Sequence, residues 1–169
     1  MSKASASGWR WLPLSAGIIV ADQLAKAWIV QHFSLYERVH VLPVLDIILT
    51  YNRGAAFSFL SDASGWQRWL FVILALMVST TLIIWMRRLR TPVHTLLAGA
   101  LALIVGGALG NMIDRIATGR VVDFIHVHWG RHYFPAFNIA DSAITVGAVL
   151  LLIDAWLEVR AARKLVVRA

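Results

Sequence analysis

Residues 69–86 run for 18 positions without a charge, and Arg87, Arg88 and Arg90 follow at once. At about 1.5 Å per helical residue, such a run reaches across the hydrocarbon core of a bilayer. In lipid, only a helix or a closed barrel satisfies its own backbone, which narrows the folds open to the chain. Residues 11–30, 93–113 and 137–156 read the same way. The 169-residue chain is 59% hydrophobic and 15% charged, whereas soluble domains have about 45–50% and about 25%. The expectation is an all-α membrane protein with four transmembrane helices, a single domain over residues 1–169, and outer loops at 31–68 and 114–136. A cleavable leader is the competing reading of the first span. Asp22, Gln23 and Lys26 inside it argue against a leader's short, uncharged apolar region.

The connections are not featureless. Residues 39–42 and 46–51 are β-prone and bracketed by Pro43 and by Asn52-Arg53-Gly54, and 121–129 alternates loosely like a strand. Strand character is therefore expected in the first outer loop and in the segment before the fourth helix. Residues 1–10 read as disordered or interfacial. Thr91-Pro92 reads as the start of the third helix, with Thr as cap and Pro in the first turn. Ala98, Ala102, Gly106 and Gly110 recur every four residues and give that helix a smooth ridge for close packing.

Lys3, Arg10, Arg87, Arg88, Arg90, Arg160, Arg163, Lys164 and Arg168 crowd the two termini and the short second connection. The two longer loops, with Arg38, Arg53, Arg68, Arg115, Arg120 and Arg131, carry fewer cations over more residues. The positive-inside rule then puts both termini in the cytoplasm and both long loops outside. The net charge of +7 is read as this bias toward anionic lipid, not as a nucleic-acid surface. There are no cysteines, which excludes disulfides, thiolate nucleophiles and cysteine-based zinc sites.

Charge is sparse in such a chain, so each acid in or near a span is a functional candidate. Asp123 and Asp141 flank the junction between the last strand and the fourth helix, and both fall on the outer side with Asn52, Asn111, Asp114 and Arg115. If they meet in space, two carboxylates that cannot both ionise comfortably would form an aspartic-protease dyad, needing neither metal nor cofactor. Asn138, three residues before Asp141, is the expected cap of the fourth helix. A bland alternative is a capping Asp141 and a solvent-facing strand Asp123. Asp22 and Lys26, four apart, pair on one helix face, and a structural role for them outweighs a catalytic one. His126, His128 and His132 offer a weaker metal cluster, and Ser58, Ser61 and Ser142 lack the setting of a serine peptidase. A four-span proton-coupled transporter using Asp22, Lys26 or Asp141, and a non-catalytic membrane assembly factor, are the alternatives from other classes.

The motifs resemble those of bacterial lipoprotein signal peptidase (signal peptidase II). They are Asp22-Gln23 with Lys26; Asn52-Arg53-Gly54-Ala55-Ala56-Phe57-Ser58; Gly106-Gly107-Ala108-Leu109-Gly110-Asn111 through Asp114-Arg115; Val122-Asp123-Phe124; and Phe137-Asn138-Ile139-Ala140-Asp141-Ser142. They run in family order over nearly the whole chain. The resemblance implies that Asp123 and Asp141 are the catalytic aspartates. Asn52, Gly54, Asn111, Arg115, Asn138 and Ala140 would line and brace the pocket, and Asp22, Lys26 and Asp114 would be structural. Arg53 stands where the family commonly has a small polar residue, placing a cation beside the site. The implied activity is removal of signal peptides from diacylglyceryl-modified prolipoproteins, just before the lipidated cysteine. The resemblance further implies a small extramembrane β-sheet from the first outer loop and the strand before the fourth helix. It also implies a monomer in the bacterial inner membrane, with membrane lipid as surroundings and cyclic peptide antibiotics as inhibitors that wedge between the aspartates.

Overall fold

The computed structural model describes residues 6–54, 65–91 and 93–166. In chain order these form β1 (Ala6–Ser7), a 3-10 turn (Gly8–Trp11), α1 (Leu12–His32), β2 (Arg38–Leu42), β3 (Leu45–Asn52) and α2 (Trp66–Arg88). Then follow β4 (Arg90–Thr91), α3 (Thr95–Thr118), β5 (Val121–Trp129), β6 (His132–Tyr133) and α4 (Ile139–Val166). Among the described residues, four helices are long and apolar enough to cross a membrane. α2 leaves Trp69, Leu70, Ile73, Leu74, Leu76 and Met77 exposed, a continuous apolar surface that suits lipid and not water.

α3 is the central helix and packs against α1, α2 and α4. Its small residues are the reason. A Cβ on Gly106 would stand 2.9 Å from both the Ile18 Cβ and the Ser15 carbonyl oxygen, and one on Gly107 would meet the Ala140 carbonyl. The Ser15 hydroxyl donates to the Ala102 carbonyl at 2.7 Å, a polar stitch between α1 and α3. The expected ridge is present, and Gly107 beside it opens a second close approach, toward α4.

The extramembrane sheet is antiparallel in the order β2-β3-β5-β6. Ile29 of α1 packs with Leu49, Val122 and Phe124, so the outer half of α1 carries the sheet. β3 and β5 pair from Leu45↔Val127 to Asn52↔Val121, with a register shift between Ile47 and Thr50. Asn52 and Asp123 thus lie at the end of the sheet that meets the bundle. A bridge between Ile125 and Phe137 turns the chain back into α4.

Three expectations at element ends are corrected. Residues 6–11 are ordered: Ala6 and Ser7 pair with Thr91 and Arg90, and the Trp9 indole donates to the Ile83 carbonyl at 2.9 Å. That pairing holds Arg90 and Thr91 extended, so α3 begins at Thr95 instead of Thr91-Pro92; Pro92 itself lies outside the described residues. At its other end α3 runs on to Thr118 and stops at Gly119, whose φ of 77° is left-handed, so Asp114 and Arg115 are helical.

Replacing Gly107 by Ala is expected to cost about 1–3 kcal/mol through overpacking against Ala140. Gly17→Ala, with nothing within 4 Å of the added methyl, should be neutral or gain up to about 1 kcal/mol in helix propensity. Unfolding of the two variants in detergent measures the difference.

Candidate active site

Asp123 enters the site from β5 because β5 pairs with β3 and lies on α1 and α3. It is buried, with 3% of its surface exposed. Asp141 enters from the first turn of α4, whose start is fixed by Asn138. The Asn138 carbonyl oxygen of the side chain accepts the Asp141 N–H at 2.9 Å, and the Asp141 carboxylate accepts the Asn138 N–H at 3.3 Å, a reciprocal capping box. The same Asn138 donates its side-chain amide to Asp123 Oδ1 at 2.7 Å. One fully buried asparagine therefore joins both aspartates. The span expected from residue 137 begins at Ile139, because Asn138 ends the extended segment.

The remaining expected residues converge here as well. Asn111 donates to Asp141 Oδ1 at 2.7 Å and accepts from Lys26 Nζ at 2.9 Å. Asn52, one diagonal step across the β3–β5 ladder, hydrogen-bonds Asp123. Its side-chain oxygen accepts the Gly54 N–H at 2.9 Å, and the Gly54 carbonyl accepts from Arg115 at 2.8 Å. Arg115 also lies 4.9 Å above the Phe71 ring. Arg53 is exposed beside this turn. The Ala140 N–H is taken by Asp22 Oδ1 at 2.9 Å.

Beneath the aspartates lies a buried ionic cluster. Lys26 Nζ stands 2.7 Å from Asp22 and 2.8 Å from Asp114. Gln23 donates to Asp114 at 2.8 Å and to the Gly110 carbonyl at 3.2 Å, and Asp114 also accepts the Val122 N–H at 3.2 Å. Asp22 and Lys26 are thus paired with each other and with groups of α3 and α4. Gln23 is a bracing residue that sequence reasoning left without a role; its only signal was a second amphipolar side chain inside an apolar span.

Burial, and then the neighbouring Asp141 carboxylate, push the Asp123 carboxyl up to about 7, against the hydrogen bonds of Asn52 and Asn138. At neutral pH such a group holds and releases a proton readily. The pair resembles a site where one carboxyl can donate while the other accepts.

The other sequence candidates fare differently. Ser142 donates to the Asn138 carbonyl at 2.9 Å, while Ser58 and Ser61, with the 55–58 part of the motif, lie outside the described residues. The grouping of His126, His128 and His132 is corrected. His126 stacks on Tyr133, His132 is exposed on β6, and His128 turns to Asp46 and His40, because pairing across strands, not spacing along one, decides which imidazoles meet.

Residues 14–157 match the family described as Signal peptidase (SPase) II. The chain is 56% identical over 146 residues to a lipoprotein signal peptidase of Pseudomonas aeruginosa, covering 85% of this chain and 86% of the relative. It is 51% identical over 156 residues to that of Ectopseudomonas mendocina, covering 91% and 92%. Among solved structures, it is similar to a bacterial membrane enzyme determined by the in meso method at 2.3 Å resolution. The TM-score is 0.79 at 31% identity, with 89% of each chain covered.

Asp22→Ala should cost about 3–5 kcal/mol, because it strips Lys26 of one partner and leaves the Ala140 N–H unmet. Asp22→Asn, which keeps an acceptor for that N–H, should cost less. Unfolding in detergent separates the two, and a well-folded but inactive Asp22→Ala protein would move Asp22 into the chemistry.

Proposed function

The chain belongs to the signal peptidase II family, and from that premise we propose that this membrane protease is an aspartic endopeptidase whose dyad is Asp123 and Asp141. The observation that carries the reading is Asn138, which donates its side-chain amide to the Asp123 carboxyl and its backbone N–H to that of Asp141. Relatives named lipoprotein signal peptidase support a prolipoprotein substrate. We infer that the substrate bears a diacylglyceryl group and is cut just before the modified cysteine.

In this mechanism Asp123 keeps the pair's proton near neutrality. Asp141 is the ionised partner, with the Asn111 amide and the first turn of α4 as donors to its charge. Asp141 takes a proton from a water that attacks the scissile carbonyl, and Asp123 gives its proton to the carbonyl oxygen. The tetrahedral intermediate collapses as the C–N bond breaks: the proton held by Asp141 passes to the departing amine, and Asp123 takes a hydroxyl proton back from the gem-diol, which leaves a carboxylic acid and restores the starting pair. Asn52, Gly54, Arg115 and Ala140 position the loop and the helix start around that water. Asp22, Lys26 and Asp114 fix the helices.

The basic cluster Arg87, Arg88 and Arg90 stands at the end of α2 remote from the sheet. This supports cytoplasmic termini and an active site toward the periplasmic face of the inner membrane. A monomer suffices, because one chain supplies both acids, and a cyclic peptide of the inhibitory kind would sit between them.

Asp123→Asn and Asp141→Asn are each expected to abolish cleavage of a lipidated precursor while the protein remains folded and inserted. Turnover in either variant would count against the dyad. Chelators should leave kcat unchanged. The pH profile follows from Asp123: it is protonated below about 7 and ionised above, and the active pair needs one proton, so kcat/KM should fall as pH rises through that value. Asn52→Ala removes a hydrogen bond that favours the carboxylate and should move this limb to higher pH; an unmoved limb would detach it from Asp123.

A further inference from the structure

The outer sheet carries a polar cluster that proteolysis does not use. Asp46 on β3 is fully buried in a run that continues with Ile47, Ile48 and Leu49. His40, its cross-strand partner on β2, places Nδ1 2.5 Å from Asp46 Oδ1. His128 on β5 places Nε2 3.3 Å from the same oxygen. The three ligand atoms all lie within 4.8 Å of one another. Among the described residues Asp46 Oδ2 is buried without a hydrogen bond, and Arg38 Nε approaches it at 3.7 Å while its guanidinium rests 4.9 Å above Tyr133. Tyr133 also packs against the His128 ring at 5.1 Å.

We propose that His40, Asp46 and His128 form a binding site for a divalent transition-metal ion of the zinc class. Two imidazole nitrogens and one carboxylate oxygen are the donor set such ions prefer, whereas calcium and magnesium take oxygen throughout. Ligands about 2.0–2.1 Å from a tetrahedral ion stand about 3.3–3.4 Å apart. The His128–Asp46 separation already meets that; His40, exposed on an edge strand, opens from Asp46 by under about 1 Å and closes on His128, whose ligand nitrogen lies within 4.8 Å of its own. The ion takes the place of the two N–H···O protons. The His40 tautomer then carries its proton on Nε2 toward solvent, and its exposed side leaves room for a water as fourth ligand.

Arg38 holds the far oxygen of Asp46, which aims Oδ1 at the imidazoles and makes binding one-oxygen. The His128 Nδ1 is buried without a partner, so this ligand is not locked by an outer hydrogen bond and the site binds less tightly than closed structural zinc sites. The ligands come from three strands, and the ion clips the edge strand β2 to β3 and β5. His128 and Asp123 are five residues apart on β5, about 17 Å along the strand, which keeps the ion out of the peptidase chemistry.

The test uses the full chain in detergent without a histidine tag. It is titrated with ZnCl2 against a chromophoric chelator and with CoCl2 followed by visible absorption. One equivalent should bind, with d–d bands of nitrogen and oxygen ligation and a rise in melting temperature that EDTA reverses. His40→Gln, at an exposed position, and His128→Gln should each weaken binding by at least about tenfold. Asp123→Asn should bind as the parent does. No binding, or binding unchanged in the His40→Gln/His128→Gln double variant, overturns the proposal.

Discussion

The Lys26 ammonium is the contact on which the rest of the arrangement depends. An ammonium has three donors and no acceptor, and here they meet Asp22, Asp114 and Asn111. Taking these charges out of water is expensive, and only such complete pairing offsets it. Each partner leads elsewhere: Asp22 to the first turn of α4, Asp114 to the start of β5, and Asn111 to Asp141. One buried cation thus ties α1 to α3 and fixes where the strand and the last helix begin. Asp22 stands ten residues before the end of α1, so α4 starts about 15 Å below that end. Asp141, in the first turn of α4, accordingly sits below the end of α1 that carries the sheet.

Much of this was legible in the sequence, because its causes are local. Long uncharged runs can only be spans, an asparagine three residues before an aspartate caps a helix, and small residues every four positions make a ridge. Asp123 and Asp141 stood out since an apolar chain has few acids to spend. What stayed hidden depends on distant partners. Nothing local in Ala6-Ser7 says that it pairs with Arg90-Thr91, and that pairing is what delays α3 to Thr95. Likewise His40 and Asp46 lay in two β-prone runs with nothing to match them until the register of β2 on β3 put them opposite each other. His126 and His128 were grouped because they share a strand, but the partners of His128 are Asp46 on the next strand and His40 one strand further.

Among the described residues, the hydrogen-bonded routes from Lys26 and Arg115 to the aspartates run through neutral groups. Lys26 acts through the Asn111 carboxamide on Asp141, and Arg115 acts through the Gly54 peptide and Asn52 on Asp123. A direct ammonium or guanidinium contact would hold both carboxylates ionised, and an ionised pair has no proton to give a carbonyl. Burial without any donor would leave both neutral, with no base. Carboxamides lie between these limits: they orient a carboxylate and stabilise its charge modestly, without fixing it. That graded environment is why the supporting residues of this site are asparagines at positions 52, 111 and 138. Burial and the neighbouring Asp141 carboxylate are what hold the Asp123 carboxyl up, and the Lys26 charge of the buried cluster works against them without reversing the shift.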